Sequence, residues 1–291
     1  MNSLTPSPQS PPSTPSSPSM PAITVLCSDG PHHLYLAGEI LKTFGKVRLI
    51  VEPGHAQVSR LWRNRQYRAY GWTRYHQWRR SLFGYDAYRQ RYFTQGEAPL
   101  TWDALLRDAR VRLIETPWIN DPCVVETLQE EGADAYIVMG TKKIGEAVLA
   151  QIPPDRILNL HGGHLPHYKG NHCFFFALHH GEFDKLSTTL HRVASGLDTG
   201  EIVSHHTVQF QQGDNSETLY SRAEKRAVDN LVARLKMDPD VTRWDSEPQP
   251  DAGATYRMRD RGPLLEIAHR FALLRHLHAV SAVRRKGNQA R

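Results

Sequence analysis

Residues 22–51 read AITVLCSDGPHHLYLAGEILKTFGKVRLIV. Ala22 to Cys27 is a short apolar run containing β-branched residues, the composition of a buried strand. Ser28-Asp29-Gly30-Pro31 is a polar turn, after which Leu34, Ala37, Ile40 and Leu41 return at helical spacing. A second strand-like run, Val47 to Val51, follows Gly45. Strand, helix, strand in this order predicts two parallel strands joined by a crossover helix, because parallel neighbours need a long connection. The first turn lacks GxGxxG, so the pattern gives no support to a dinucleotide cofactor.

The same alternation continues outward. Val111 to Ile114, Ala135 to Met139 and Ile157 to Leu160 read as strands, with helices over Pro122 to Glu131 and Gly145 to Gln151. The fold class expected is α/β, an open and mostly parallel sheet. Residues 55 to 95 interrupt it with nine arginines, one acid (Asp86) and eleven aromatics. Trp62, Tyr70 and Trp78 fall near helical spacing, so one or two inserted helices are expected. Three readings fit this segment. It is a helical cover whose aromatics pack inward and whose arginines stay wet, a reader of a phosphorylated small molecule, or a nucleic-acid surface. If the segment reads phosphates, replacing Arg63, Arg65 and Arg68 should weaken binding of the phosphorylated molecule.

The chain has 291 residues and a net charge of +6. No apolar run approaches the ~18 residues that cross a bilayer. Three scattered cysteines and no CxxC pair give no disulfide framework, and a cytoplasmic setting is expected. Residues 1–20 hold seven Ser and six Pro and read as a disordered tail without a secretory signal. Met1 and Met20 are both possible starts. Glu266 to Val283 reads as a helix, and Arg284, Arg285 and Lys286 as part of a solvated terminus. The expected organisation is a tail over 1–20, a catalytic unit over 21–205 containing the insertion, and a mostly helical extension over 206–291.

Chemistry concentrates in residues 157–203, ILNLHGGHLPHYKGNHCFFFALHHGEFDKLSTTLHRVASGLDTGEIV. Asn159 and His161 lie two positions apart and therefore on one face of a strand. They also stand at its carboxyl end, where open parallel sheets bind ligands. An amide donor beside an imidazole suits acyl chemistry, one stabilising an oxyanion and the other moving a proton. Asp198, within Gly196-Leu197-Asp198-Thr199-Gly200, can supply a carboxylate to the histidine. His161, His164 and His167 straddle Gly-Gly and Leu-Pro, so no regular element holds them at ligand geometry and no metal site is expected.

Asn159-Leu160-His161, Leu165-Pro166, Tyr168-Lys169-Gly170, Thr189-Leu190-His191 and Gly196 to Gly200 occur in this order. Together they resemble the motifs of the 10-formyltetrahydrofolate-dependent formyltransferases, the methionyl-tRNA, glycinamide ribonucleotide and sugar N-formyltransferases, from about Ala22 to Leu235. The resemblance implies a Rossmann-like catalytic domain and direct attack of a primary amine on the folate's formyl carbon through a tetrahedral intermediate, without a metal. It also implies that Asn159 and His161 stabilise the oxyanion while Asp198 supports His161. The folate would lie between Met139, Gly140, Thr141, Lys142, Lys143 and Ile144 and the loop Ser195, Gly196 and Leu197. A small anionic acceptor, phosphorylated or nucleotide-linked, would meet Gly162, Gly163, Tyr168, Lys169, Gly170 and the turn from Ser28 to His33.

Two departures stand out. His161-Gly162-Gly163-His164 replaces the family's usual His-Pro-Ser, and the 55–95 insertion has no counterpart in the small glycinamide ribonucleotide enzymes. About 54 residues after Met237 leave little room for the tRNA enzyme's C-terminal barrel, so nucleic acid is not the expected partner. The alternatives are a formyltetrahydrofolate hydrolase releasing formate and an RNA-binding protein that keeps the fold without the activity.

Overall fold

The computed structural model describes residues 20–95, 100–211 and 213–273. Its sheet begins with β1 (Ile23–Cys27), α1 (Pro31–Phe44) and β2 (Val47–Val51). The insertion follows as three helices, α2 (Gly54–Arg63), α3 (Tyr67–Leu82) and α4 (Tyr85–Thr94), where one or two were expected. Then come α5 (Trp102–Leu106), β3 (Val111–Glu115), α6 (Pro122–Glu130), β4 (Ala135–Met139), α7 (Glu146–Leu149) and β5 (Ile157–His161). The last part holds β6 (Tyr168–Gly170), α8 (Cys173–His180), β7 (Ser187–Arg192), β8 (Ile202–Thr207), α9 (Ser216–Met237), β9 (Ala254–Tyr256) and a helical run over 263–273, α10. The serine-proline tail before residue 20 and the end of the helix expected to reach Val283 lie outside the described residues.

The seven-stranded sheet has the order β3-β2-β1-β4-β5-β7-β8. The first five strands are mutually parallel, and β7 and β8 add antiparallel edges. All five residues of β1, β2 and β4 are buried. Their successive side chains enter different cores because strand residues alternate between faces. Val25, Ile137 and Leu158 face α1, whereas Leu26, Val138 and Ile157 join Val124 and Leu128 of α6. Among the described residues no helix is long and apolar enough to cross a membrane.

The stretch after residue 205 is built into these cores. Asn215 caps α9 by accepting from Glu217 N and Thr218 N at 2.9 and 3.1 Å. Ala227, Val228, Leu231 and Leu235 then pack with α1 on the sheet, while Leu219 and Ala223 pack on Phe174 and Phe175 of α8.

The insertion reverses the burial expected of it. Arg79 and Arg89 are buried at 3% and 7% exposure, whereas Trp62 and Trp78 are 56% and 61% exposed. Acids on α9 explain the inversion. Arg79 Nη2 donates to Glu217 Oε1 at 2.8 Å, and Arg261 Nη1 reaches the same oxygen at 3.3 Å. Arg89 Nη2 donates to Glu224 Oε2 at 2.6 Å. A buried guanidinium is tolerated only where it is paired. Burial by itself would push the Glu217 carboxyl up, but Arg261 and Arg79 hold it below the usual carboxylate range.

Glu217→Ala leaves the buried Arg79 and Arg261 sharing Glu266 as their remaining carboxylate and is expected to cost about 3 kcal/mol of stability. Calorimetry checks this as a melting temperature lower by roughly 10 °C. The folded-state pKa of Glu217 is depressed, so its stabilisation is present above the unfolded carboxyl value and lost as pH falls through the folded one.

Candidate functional site

The strand order reverses at β1, which lies between β2 and β4 and so places a crevice at the carboxyl ends of β1 and β4. A 1220 Å3 cavity opens there, lined by Ser28 to His33, Val138 to Ile144, Asn159 to Gly162 and the loop carrying Asp198. Strand β5 delivers Asn159 and His161, and its antiparallel partner β7 sets His191 directly opposite Asn159.

Each member of the trio is fixed by its neighbours. His161 Nε2 donates to the Tyr168 carbonyl at 2.9 Å, and Nδ1 stands 3.5 Å from Asp198 Oδ2. Both ring nitrogens therefore face oxygen acceptors. Asp198 holds a left-handed backbone at φ 53° and accepts from Gly170 N at 2.9 Å. Gln249 Nε2 donates to the Asp198 carbonyl at 3.2 Å and also bonds Gly200 O. A Cβ on Gly200 would stand 1.8 Å from the Arg192 carbonyl, so the loop closes this tightly only with glycine there.

Asn159 Nδ2 donates to His191 Nε2 at 2.9 Å, and His191 Nδ1 donates to the Arg192 carbonyl at 2.6 Å. That second bond makes Nε2 the acceptor, which fixes which end of the Asn159 amide turns toward His191. Burial, with the nearby His161 adding to it against Asp198, lowers the His191 pKa to about 4 and keeps the ring neutral for this role. Asn159 itself is half-buried on the cavity wall, with a second N–H left on the same nitrogen. An amide donor, an imidazole and a carboxylate thus converge on one cavity.

The two loops flanking this centre are placed differently from one another. Met139, Gly140, Thr141, Lys142, Lys143 and Ile144 all line the cavity, and Asn120 pins their loop by donating to the Lys143 carbonyl at 3.0 Å. Lys142 is pushed below the ordinary lysine value, since its burial outweighs the pull of Glu52. Gly196 and Leu197 line the cavity, while Ser195 is not among its walls. Of the residues expected on the acceptor side, Gly162 and Gly170 reach it. A Cβ on Gly162 would come within 2.4 Å of the Tyr220 hydroxyl, which backs that position.

Three expectations need correction. The Tyr168 side chain turns away from the cavity, because its hydroxyl donates to Glu182 Oε2 at 2.7 Å and its ring stacks on Tyr256. Only its carbonyl serves the site. Lys169 and Gly163 are buried in the same turn off the cavity wall, Gly163 wedged between Cys173 and the Tyr168 carbonyl. Arg63 on α2, Arg65 in the turn after it and Arg68 on α3 are exposed away from the cavity, whose insertion-side wall carries Arg74, Arg79, Arg80 and Arg89 instead.

His191, Asn120, Gln249 and Tyr220 were not assigned roles from sequence. Only His191 carried a signal, the Thr189-Leu190-His191 strand.

Residues 114–235 match the formyl transferase family model. Over 137 residues the chain is 34% identical to a methionyl-tRNA formyltransferase of Thermosynechococcus vestitus, covering 47% of this chain and 40% of that relative. The chain thus spans under half the length of the curated relatives it matches. An N-formyltransferase from Helicobacter canadensis, solved in complex with folinic acid and dTDP-3-aminofucose, superposes with a TM-score of 0.55 at 13% identity, over 87% of this chain and 81% of that one. A sugar N-formyltransferase from Shewanella sp. superposes with a TM-score of 0.52 at 14% identity, over 88% of each chain. The resemblance read from the motifs is thereby shown, and so is the α/β fold.

Proposed function

We propose, from a chain whose residues 114–235 carry the formyl transferase family's pattern, that this protein transfers a formyl group from 10-formyltetrahydrofolate to a primary amine of a small anionic acceptor. The observation that carries this reading is the convergence of Asn159, His161 and Asp198 on one cavity, with Asn159 locked by His191. The folate of the Helicobacter canadensis complex supports the choice of co-substrate.

The amine attacks the formyl carbon, and the carbonyl oxygen gathers negative charge. Asn159 Nδ2 donates its second N–H to that oxygen, a donor already oriented before the reaction begins. His161 provides the second stabilising proton by turning Nε2–H from the Tyr168 carbonyl, which it bonds at 2.9 Å, toward that oxygen, while Asp198 stands beside Nδ1. Collapse of the tetrahedral intermediate breaks the bond from formyl carbon to N10. The proton lost by the attacking amine balances the one that N10 gains, so tetrahydrofolate and a formamide leave. The loop from Met139 to Ile144 and Gly196-Leu197 bind the folate, with Lys142 and Lys143 toward its carboxylates. The catalytic unit is residues 21–205 with α9 packed on it, in a cytoplasmic setting.

Spectroscopic measurement of tetrahydrofolate formation from 10-formyltetrahydrofolate, across a panel of phosphorylated and nucleotide-linked amines, tests the reading. The expected result is turnover that depends on one class of amine. Turnover of equal rate in water alone would replace the transferase with a hydrolase.

A further inference from the structure

The insertion supplies a wall of the cavity that the proposed chemistry does not use. Along α3, Arg74, Gln77, Trp78 and Ser81 recur at i, i+3, i+4 and i+7, the spacing of one helix face, and all four line the cavity. The rest of the helix holds α3 in place, with His76 bonded to the Met258 carbonyl at 2.7 Å and Arg79, which also reaches the cavity wall, paired to Glu217. One face of the helix is thus anchored and the other left open.

The chemistry of the open face is specific. Trp78 keeps 61% of its surface exposed. Arg74 donates to Gln77 Oε1 at 2.9 Å, and among the described residues no carboxylate pairs with it. Arg80 beside it is partly neutralised by Asp86 at 3.0 Å, and Arg79, Arg89 and Arg261 are consumed by Glu217, Glu224 and Glu266. A guanidinium with no carboxylate partner among the described residues, one helical turn from an open indole, suits a ligand that carries a flat ring and a negative group together. The cavity also exceeds the ~300–1,000 Å3 of a single small-molecule pocket, so it has room for an acceptor as well as a folate.

We propose that the open face of α3 is the acceptor-recognition subsite, with Trp78 stacking on the base and Arg74 pairing with the phosphates of a nucleoside diphosphate carried by the acceptor. This rests on the formyl-transfer reading, since it needs an acceptor in the cavity beside the folate. Gln77 and Ser81 add neutral donors and acceptors along the same stripe, and Gln77 accepts from the Arg74 guanidinium. Because the subsite stands on an insertion, it is where this chain's acceptor selectivity resides.

Titration calorimetry of the full chain with ADP, GDP, UDP and dTDP as probes, with inorganic pyrophosphate, p-aminobenzoyl-glutamate and 5-formyltetrahydrofolate beside them, tests the assignment. At least one diphosphate is expected to bind below about 1 mM, more tightly than pyrophosphate. Trp78→Leu should weaken it about tenfold or more, and Arg74→Gln several-fold with a shallower salt dependence. Both positions are solvent-open, so the variants should keep the wild-type melting temperature and 5-formyltetrahydrofolate affinity. Absence of diphosphate binding, or binding indifferent to both substitutions, overturns the subsite. Weakened p-aminobenzoyl-glutamate or folate binding instead assigns the face to the folate's tail and overturns it equally. Failure of the wild type to bind 5-formyltetrahydrofolate is a separate result that strikes the formyl-transfer reading.

Discussion

Asn159→Ala is expected to lower formyl transfer about 100- to 1000-fold, and His161→Ala about 100- to 10,000-fold, with 5-formyltetrahydrofolate affinity held within about threefold. The large loss follows from where charge develops. In the proposed mechanism Asn159 donates to an oxygen that carries full negative charge only in the tetrahedral intermediate, so its removal acts on turnover more than on binding. Asn159→Asp keeps the shape and reverses the polarity. It should be no better than alanine, because it sets a carboxylate beside the developing oxyanion. His191→Ala tests the same account one contact away. It frees the amide that His191 Nε2 holds at 2.9 Å, and should reduce turnover by a smaller factor, about tenfold. Steady-state turnover beside titration of the folate analogue separates these outcomes, and variants that keep wild-type turnover would remove Asn159 and His161 from the chemistry.

Acid is expected to destabilise the fold well above the carboxylate range. Burial lowers the pKa of His76, His164, His191 and His206 to about 4, and that of His33 to about 3. The unfolded chain takes up those protons near pH 6.5, whereas the folded chain excludes them until lower pH. Stability is therefore complete above pH 6.5 and falls as pH drops toward 4. His191, 2% exposed, contributes on the order of 3 kcal/mol across that window, and His164, the partly exposed ring of the five, contributes less. Glu52 and Glu224, whose carboxyls burial pushes up, offset part of the loss. The net expectation is a fall on the order of 5 kcal/mol between pH 7 and pH 5, a large share of a typical domain's 5–15 kcal/mol. Denaturant titrations at pH 7.5, 6 and 5 read it directly, and a flat profile would mean that water or ions reach these rings.

The parallel sheet was legible in the sequence because β1, β2 and β4 are buried on both faces and so read as mostly apolar, β-branched runs, with Thr24 and Arg48 as their polar members. Asn159, His161 and Asp198 were legible because the chemistry demands those residue types at a strand end and in a glycine-flanked loop. The inside-out insertion was not. The acids that draw Arg79 and Arg89 inward stand on α9, 138 and 135 residues later, and helical periodicity carries no information about a partner that distant. The role of Tyr168 was obscured for a similar reason. It sits in a three-residue strand paired with Ala254–Tyr256, and that pairing turns the ring toward Tyr256 while leaving the carbonyl for His161. The helix breaks within the insertion fall at Arg65 and Gly84, both in left-handed conformation, and only the glycine signals such a turn.

The most direct measurement of the central claim follows the formyl carbon itself. With 10-formyltetrahydrofolate labelled by carbon-13 in the formyl group and an amine that supports turnover, the label is expected in a formamide carbon in one-to-one yield with tetrahydrofolate, and Asn159→Ala should suppress both together. Label recovered as formate, or tetrahydrofolate formed equally well by Asn159→Ala, would contradict direct transfer at this site.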